Sequence, residues 1–75
     1  MKGSDDLIPI GRFAEASRLS LKALRIYDRL GLLRPVHVDR RNRYRYYHPD
    51  QVRKAKIIGL LRRLDTPLET IRDIL

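Results

Sequence analysis

Cysteine is absent from this chain, and with it disulfide bonds, thiolate zinc sites and cysteine nucleophiles. That absence accords with a reducing compartment. Long apolar stretches are absent too, since no run approaches the ~18 residues that a membrane span requires. The N-terminus carries no secretory signal, so a cytoplasmic location is expected. There is no Ser-His-Asp constellation and no glycine-rich phosphate loop, and the 9 acidic residues are scattered. His37 and His48 have neither a helical i, i+4 partner nor a neighbouring cysteine, which makes them structural or solvated rather than metal ligands. A chain of 75 residues buries only about 60% of the surface it exposes when unfolded, leaving no room for a deep substrate cavity. An enzyme, a resident cofactor and a metal site are therefore not expected.

Acid is scarce and base abundant: 17 Lys+Arg stand against 9 Asp+Glu, for a net charge of +8, and 13 of the 17 are arginine. Arginine's planar fork suits bidentate contacts to phosphate and guanine, whereas lysine acts more as a point charge. The charge is concentrated in residues 40–47, where four arginines and three tyrosines occur in eight positions with no acid among them. Such a segment calls for a polyanion or an acidic surface, and phosphate backbone is the commonest polyanion.

Residues 1–7 read as a polar, disordered lead-in, and residues 8–75 as a single domain. A short helix over residues 12–17 places Ile10, Phe13 and Ala14 inward, and Arg18-Leu19 forms the turn that follows. Ser20 is a good N-cap and Gly31 a good C-terminal stop, which brackets a second helix over residues 21–30. In that helix Leu21, Leu24, Tyr27 and Leu30 share one face, and Lys22, Arg25, Ile26 and Arg29 share another. The basic face is either a solvated stripe or the reading edge of a helix–turn–helix. A β-hairpin is expected next, with strands over residues 32–36 and 44–47 and a basic tip over residues 37–43. Tyr46 and Tyr47 alternate across the second strand, so at least one of them packs into the core. His48 with Pro49 opens a third helix through Val52, Ile58 and Leu64. Thr66-Pro67-Leu68-Glu69 is a start signal for a fourth, with Leu68, Ile71 and Leu75 as its apolar face. The fourth helix carries no closing signal and is expected to continue in a longer parent chain.

The order of these blocks resembles the N-terminal domain of the MerR family. The likeness lies in Ile10-Gly11-Arg12-Phe13-Ala14, the stretch from Ser20 through Lys22-Ala23-Leu24-Arg25 to Leu33, Asn42-Arg43-Tyr44-Arg45-Tyr46-Tyr47, and Thr66-Pro67-Leu68. The Lys-Ala-Leu-Arg helix and Tyr-Arg-Tyr-Tyr wing look closest to the multidrug-sensing branch. The resemblance implies a mainly α fold with a small β-hairpin wing, a winged helix–turn–helix of about four helices. It implies a bacterial, nucleoid-associated regulator that binds double-stranded promoter DNA as a homodimer through a C-terminal helix missing here. RNA polymerase would then use the distorted promoter.

Carried over position by position, the resemblance assigns Lys22, Arg25 and Tyr27 to the recognition helix, with Arg29 beside them. Arg43, Tyr44 and Arg45 act from the wing, Arg12 from the start of the first helix, and Arg62 near the distorted centre. Arg18 in the first turn and Arg41 in the basic tip are further candidate DNA contacts. Two positions depart from the pattern. Ile26 replaces the first of a tyrosine pair, removing a hydroxyl, and Asp65 replaces a glycine, implying a changed turn before the last helix. Base reading falls to Lys22 and Arg25, and the other basic groups fix register on the backbone. Two other readings fit the composition: an excisionase-like architectural DNA-binding protein, and a basic module that docks an acidic partner.

Overall fold

The computed structural model describes residues 6–75. In chain order it contains β1 (Ile8–Pro9), α1 (Ile10–Ser17), α2 (Leu21–Arg29), β2 (His37–Val38), β3 (Arg45–Tyr47), α3 (Gln51–Arg63) and α4 (Leu68–Ile74). Most of the expected lead-in, residues 1–5, lies outside the described residues. Four helices thus surround a small antiparallel sheet in the order β1-β3-β2, with Ile8 opposite Tyr47 and His37 opposite Tyr46.

The second helix forms where its local chemistry says it should. The Ser20 hydroxyl accepts a hydrogen bond from the Ala23 N–H at 3.0 Å, satisfying one of the free donors of the first turn. At the other end Gly31 takes φ 76°, Leu32 N–H donates to Tyr27 O at 2.8 Å and Gly31 N–H to Asp28 O at 3.0 Å. This is a complete Schellman motif. It corrects the expected first strand of the hairpin. Leu32 and Leu33 both commit their N–H groups to Tyr27 O, turn into the core, and are buried rather than extended in a sheet. Pairing begins only at Val36, whose N–H donates to Tyr46 O, and the strand itself is His37–Val38.

The sheet also has a third strand that was not expected. β1 lies on the outer edge of β3, the place where a proline's missing N–H disrupts no ladder. In the middle, β3 carries Tyr47 inward, where its ring stacks on Phe13 at a centroid distance of 4.1 Å and an angle of 8°. Both rings are fully buried, and Leu24, Leu33, Ile58 and Ile71 complete the largest side chains of the core. Two expected core positions are corrected. Leu21, the first residue of α2, is 41% exposed, and Leu75 at the end of α4 is 46% exposed.

The expected start of α3 at His48 and Pro49 is corrected: the helix begins at Gln51, with Asp50 as N-cap and no side-chain cap bond. His48 instead closes the preceding turn, its Nδ1 accepting from Asp50 N–H at 3.1 Å while Gln51 Oε1 accepts from His48 N–H at 2.8 Å. Gln51 also donates to Arg34 O at 2.6 Å, tying α3 to the segment that leads into the wing. Before α4 the expected cap is not used. Pro67 is extended (ψ 146°) and is itself the N-cap, with no side-chain cap hydrogen bond, while Thr66 O accepts from Arg62. Asp65 adopts the left-handed conformation (φ 61°), and Thr66 N–H donates to Leu61 O at 3.0 Å. The turn that a glycine would permit is therefore kept, at the steric cost of a side chain there.

The Tyr47 hydroxyl is buried and has no hydrogen-bond partner among the described residues. Replacing Tyr47 with Phe removes that unsatisfied group, so stability should be unchanged or rise by up to about 1 kcal/mol. Tyr47→Ala empties the stack and should cost about 3–5 kcal/mol. Urea denaturation checks both; clear destabilisation by Tyr47→Phe would show that the hydroxyl is satisfied.

Candidate nucleic-acid interface

Burying Leu24 and Tyr27 on one side of α2 fixes what the other side presents. Lys22, Arg25 and Arg29 are all exposed, as the helical spacing required. Ile26, placed on that face by periodicity, is instead half-buried against the core. Tyr27 is only 7% exposed and lies under the helix, bordering the gap between the α1–α2 turn and α3.

The wing stands beside this helix and is fixed to it. Arg45 Nε donates to Asp28 Oδ2 at 3.1 Å, joining β3 to α2 through a part-buried pair. Arg45 is thus half-buried, with one donor committed to the scaffold. Beyond it the chain reverses at the wing tip, where Arg43 N–H donates to Asp39 O and Asp39 N–H to Tyr44 O at 2.7 and 2.8 Å. Two side chains stabilise that tip: Asp39 Oδ1 accepts from Arg41 N–H at 2.8 Å and Asn42 Oδ1 accepts from Tyr44 N–H at 2.9 Å. The bonds from Arg41, backbone first and guanidinium second, hold the Asp39 carboxyl below its ordinary value of 3.8. Arg41 nevertheless leaves 89% of its side chain exposed, and Arg43 and Tyr44 are exposed as well. Tyr44 meets Tyr46 edge-on at 5.6 Å, so the phenol at the tip has a firm base.

The remaining candidates border these two elements. Arg12 is exposed on α1, and Arg18 is exposed in the α1–α2 turn. Arg62 is exposed on α3, with Nη1 bonded to Thr66 O at 2.8 Å. Arg18 and Arg43 share a property that sequence alone did not signal. Both hold left-handed backbones at φ 63°, a conformation costing a non-glycine residue about 1–2 kcal/mol. Among the described residues no group of three or more His, Cys, Asp or Glu could hold a metal ion, and no helix is long and apolar enough to cross a membrane.

An exposed basic helix capped by Ser20 and Gly31, a short helix before it and a basic wing after it define a winged helix–turn–helix. Residues 8–75 match the family model described as MerR HTH family regulatory protein. The chain belongs to the MerR HTH family. It is 45% identical over 65 residues to the transcriptional regulator BrlR of Pseudomonas aeruginosa, covering 87% of this chain and 24% of that protein. It is 38% identical over 63 residues to the multidrug-efflux transporter 1 regulator of Bacillus subtilis, covering 84% of this chain and 23% of that one. The chain thus spans about a quarter of the length of these curated relatives.

Among solved structures, a MerR-family transcriptional regulator from Bacillus cereus superposes with a TM-score of 0.77 at 28% identity, covering 91% of this chain and 50% of that one. The HTH-type transcriptional regulator SkgA from Caulobacter crescentus gives 0.71 at 35% identity, covering 91% and 48%. This MerR domain is therefore the DNA-binding part of a family of transcriptional regulators. The Asp28–Arg45 pair is a support that the sequence reading missed, whereas Asp39 and Asn42 are the turn formers of the wing tip that their residue types suggest. No local signal marks the pair, whose partners lie 17 residues apart.

The acid dependence of the wing tip follows from Asp39. Its folded pKa is lowered, so its contribution is fully present above 3.8 and is lost as pH falls through the folded value. Amide exchange at Arg41 and Arg43, taken relative to its intrinsic rate at each pH, should be slow near neutral pH and accelerate as pH falls through the folded value of Asp39. In Asp39→Ala it should be fast throughout, with the melting temperature little changed. Equal protection in wild type and variant at neutral pH would contradict this role.

Proposed function

We propose that this MerR domain recognises promoter DNA with α2 in the major groove and the wing on the flanking backbone. The observation that carries this reading is the Asp28–Arg45 bond, which holds an exposed basic helix face and an exposed basic wing tip in one fixed arrangement. Lys22 and Arg25 read base edges, where an arginine fork on guanine is worth roughly 1–3 kcal/mol of discrimination. Arg12, Arg18, Arg29, Arg41, Arg43 and Arg62 position the domain on phosphates, and Tyr44 packs against the sugar–phosphate chain. Tyr27 and Arg45, largely committed to the core and to Asp28, act on DNA through their outer edges. With Ile26 half-buried in place of a tyrosine, the grip on a distorted centre falls to the neighbouring arginines.

In the longer regulator, two such domains form a homodimer through a helix following α4, bend a palindromic promoter and present it to RNA polymerase in the bacterial cytoplasm. Exposed Leu60, Leu64 and Ile74 (54%, 68% and 60%) support the idea that this end of the domain is covered in the assembly. The similarity to a multidrug-efflux transporter regulator supports a place in the drug-sensing branch.

Fluorescence-anisotropy titration of duplex DNA tests the reading. With ~4–6 phosphate contacts, log K against log salt should slope about −4 to −5; a flat line, or equal binding to heparin, would contradict it. Arg43→Gly should weaken binding to all sequences alike while leaving stability unchanged or up to about 1 kcal/mol higher, because it relieves a left-handed side chain. Arg25→Ala should also flatten the preference between an operator half-site and a scrambled duplex. Identical sequence profiles for the two variants would contradict the assigned roles.

A further inference from the structure

A cleft of about 420 Å³ opens between the α1–α2 turn and α3. Its floor is the contact of Leu19 with Gly59: a Cβ at Gly59 would stand 3.1 Å from Leu19 Cδ2, so the bare glycine lets the turn settle this close to α3. Four cations line the cleft, Arg18 from the turn and Lys56, Arg62 and Arg63 from α3, and no carboxylate does. Arg18, Lys56 and Arg63 make no ion pair with any described residue. Arg62 commits one N–H to Thr66 O and keeps the rest of its fork. Lys56 and Arg63 lie on neither the recognition helix nor the wing, and neither the sequence pattern nor the resemblance marked them.

Like charges drawn together around a concave wall raise the local anion concentration and repel one another until an anion arrives. Arg18 holds its place in a left-handed backbone, φ 63°, next to the start of α2. We propose that this cleft seats a backbone phosphate of the duplex whose groove α2 occupies, with Lys56 and Arg63 as its positioning residues. The inference rests on the DNA-binding reading above. A free anion gains only the local charge, whereas a duplex already held by α2 delivers its next phosphates at high effective concentration. Arginine and lysine side by side give the seat both a fork and a mobile point charge.

The test compares two double variants of this chain that each remove two exposed charges from α3. K56Q/R63Q strips the cleft, and R53Q/K54Q strips residues that do not line it. Circular dichroism melts confirm that both are folded. The cleft variant should bind duplex DNA roughly tenfold more weakly near physiological salt, and its salt slope should be shallower by about 1. The control variant should lose distinctly less of both. If wild type shows a steep slope while the two variants behave alike, the cleft is overturned and the DNA reading stands. If wild type itself shows a flat slope, both readings fall together.

Discussion

Phe13 and Tyr47 lie nearly parallel, 4.1 Å apart, in the dry centre of the domain, and that stack joins α1 to β3. Position is inherited from it in both directions. β3 is the middle strand, so fixing Tyr47 fixes the register of β1 and β2 and hence where the wing tip emerges. α1 packs on α2 and α3, so fixing Phe13 sets the face that α2 turns outward. In a domain this small such a stack is a large share of the whole core. Burial of Tyr47 also raises its phenol pKa, chiefly by desolvation and then through the charge of Asp28.

The surface is organised around a shortage of acid. With 9 acidic groups against 17 basic ones, each carboxylate that is committed has a structural use. Asp28 fastens the wing to the recognition helix, and Asp39 holds the wing tip. Among the described residues Lys22, Arg25 and Arg29 along α2, Arg43 at the wing tip and Lys56 and Arg63 in the cleft make no ion pair, and a polyanion can use them. The energies involved are modest because these pairs are partly exposed. Their value lies in fixing where the free arginines stand relative to one another.

The sequence was most legible where structure is decided locally. Ser20 and Gly31 bracket α2 through hydrogen bonds to residues a few positions away. Legibility failed where partners are distant or the signal is degenerate. β1 is two residues long and contains a proline, so it has no periodicity to detect, and it exists only because β3 offers an edge. Thr66-Pro67 fits a helix start in two frames, and the chain uses the one with Pro67 extended. The exposed basic stripe of α2 followed from spacing, but the burial of Ile26 did not, since only the neighbouring elements decide how wide the buried face is. The cleft was invisible for the same reason: Arg18 in the α1–α2 turn and Arg63 on α3 meet at it from places far apart in the chain.

The central claim is that α2 and the wing, held as one body, form a single surface for duplex DNA. The most direct test is to titrate the isotopically labelled chain with a duplex and follow every backbone amide by NMR. The account predicts that Lys22, Arg25, Arg29 and Arg41 to Tyr44 shift together along one binding curve, with the amides around exposed Ile74 unmoved. Shifts confined to the α3–α4 end, or a pattern reproduced in full by heparin, would contradict it.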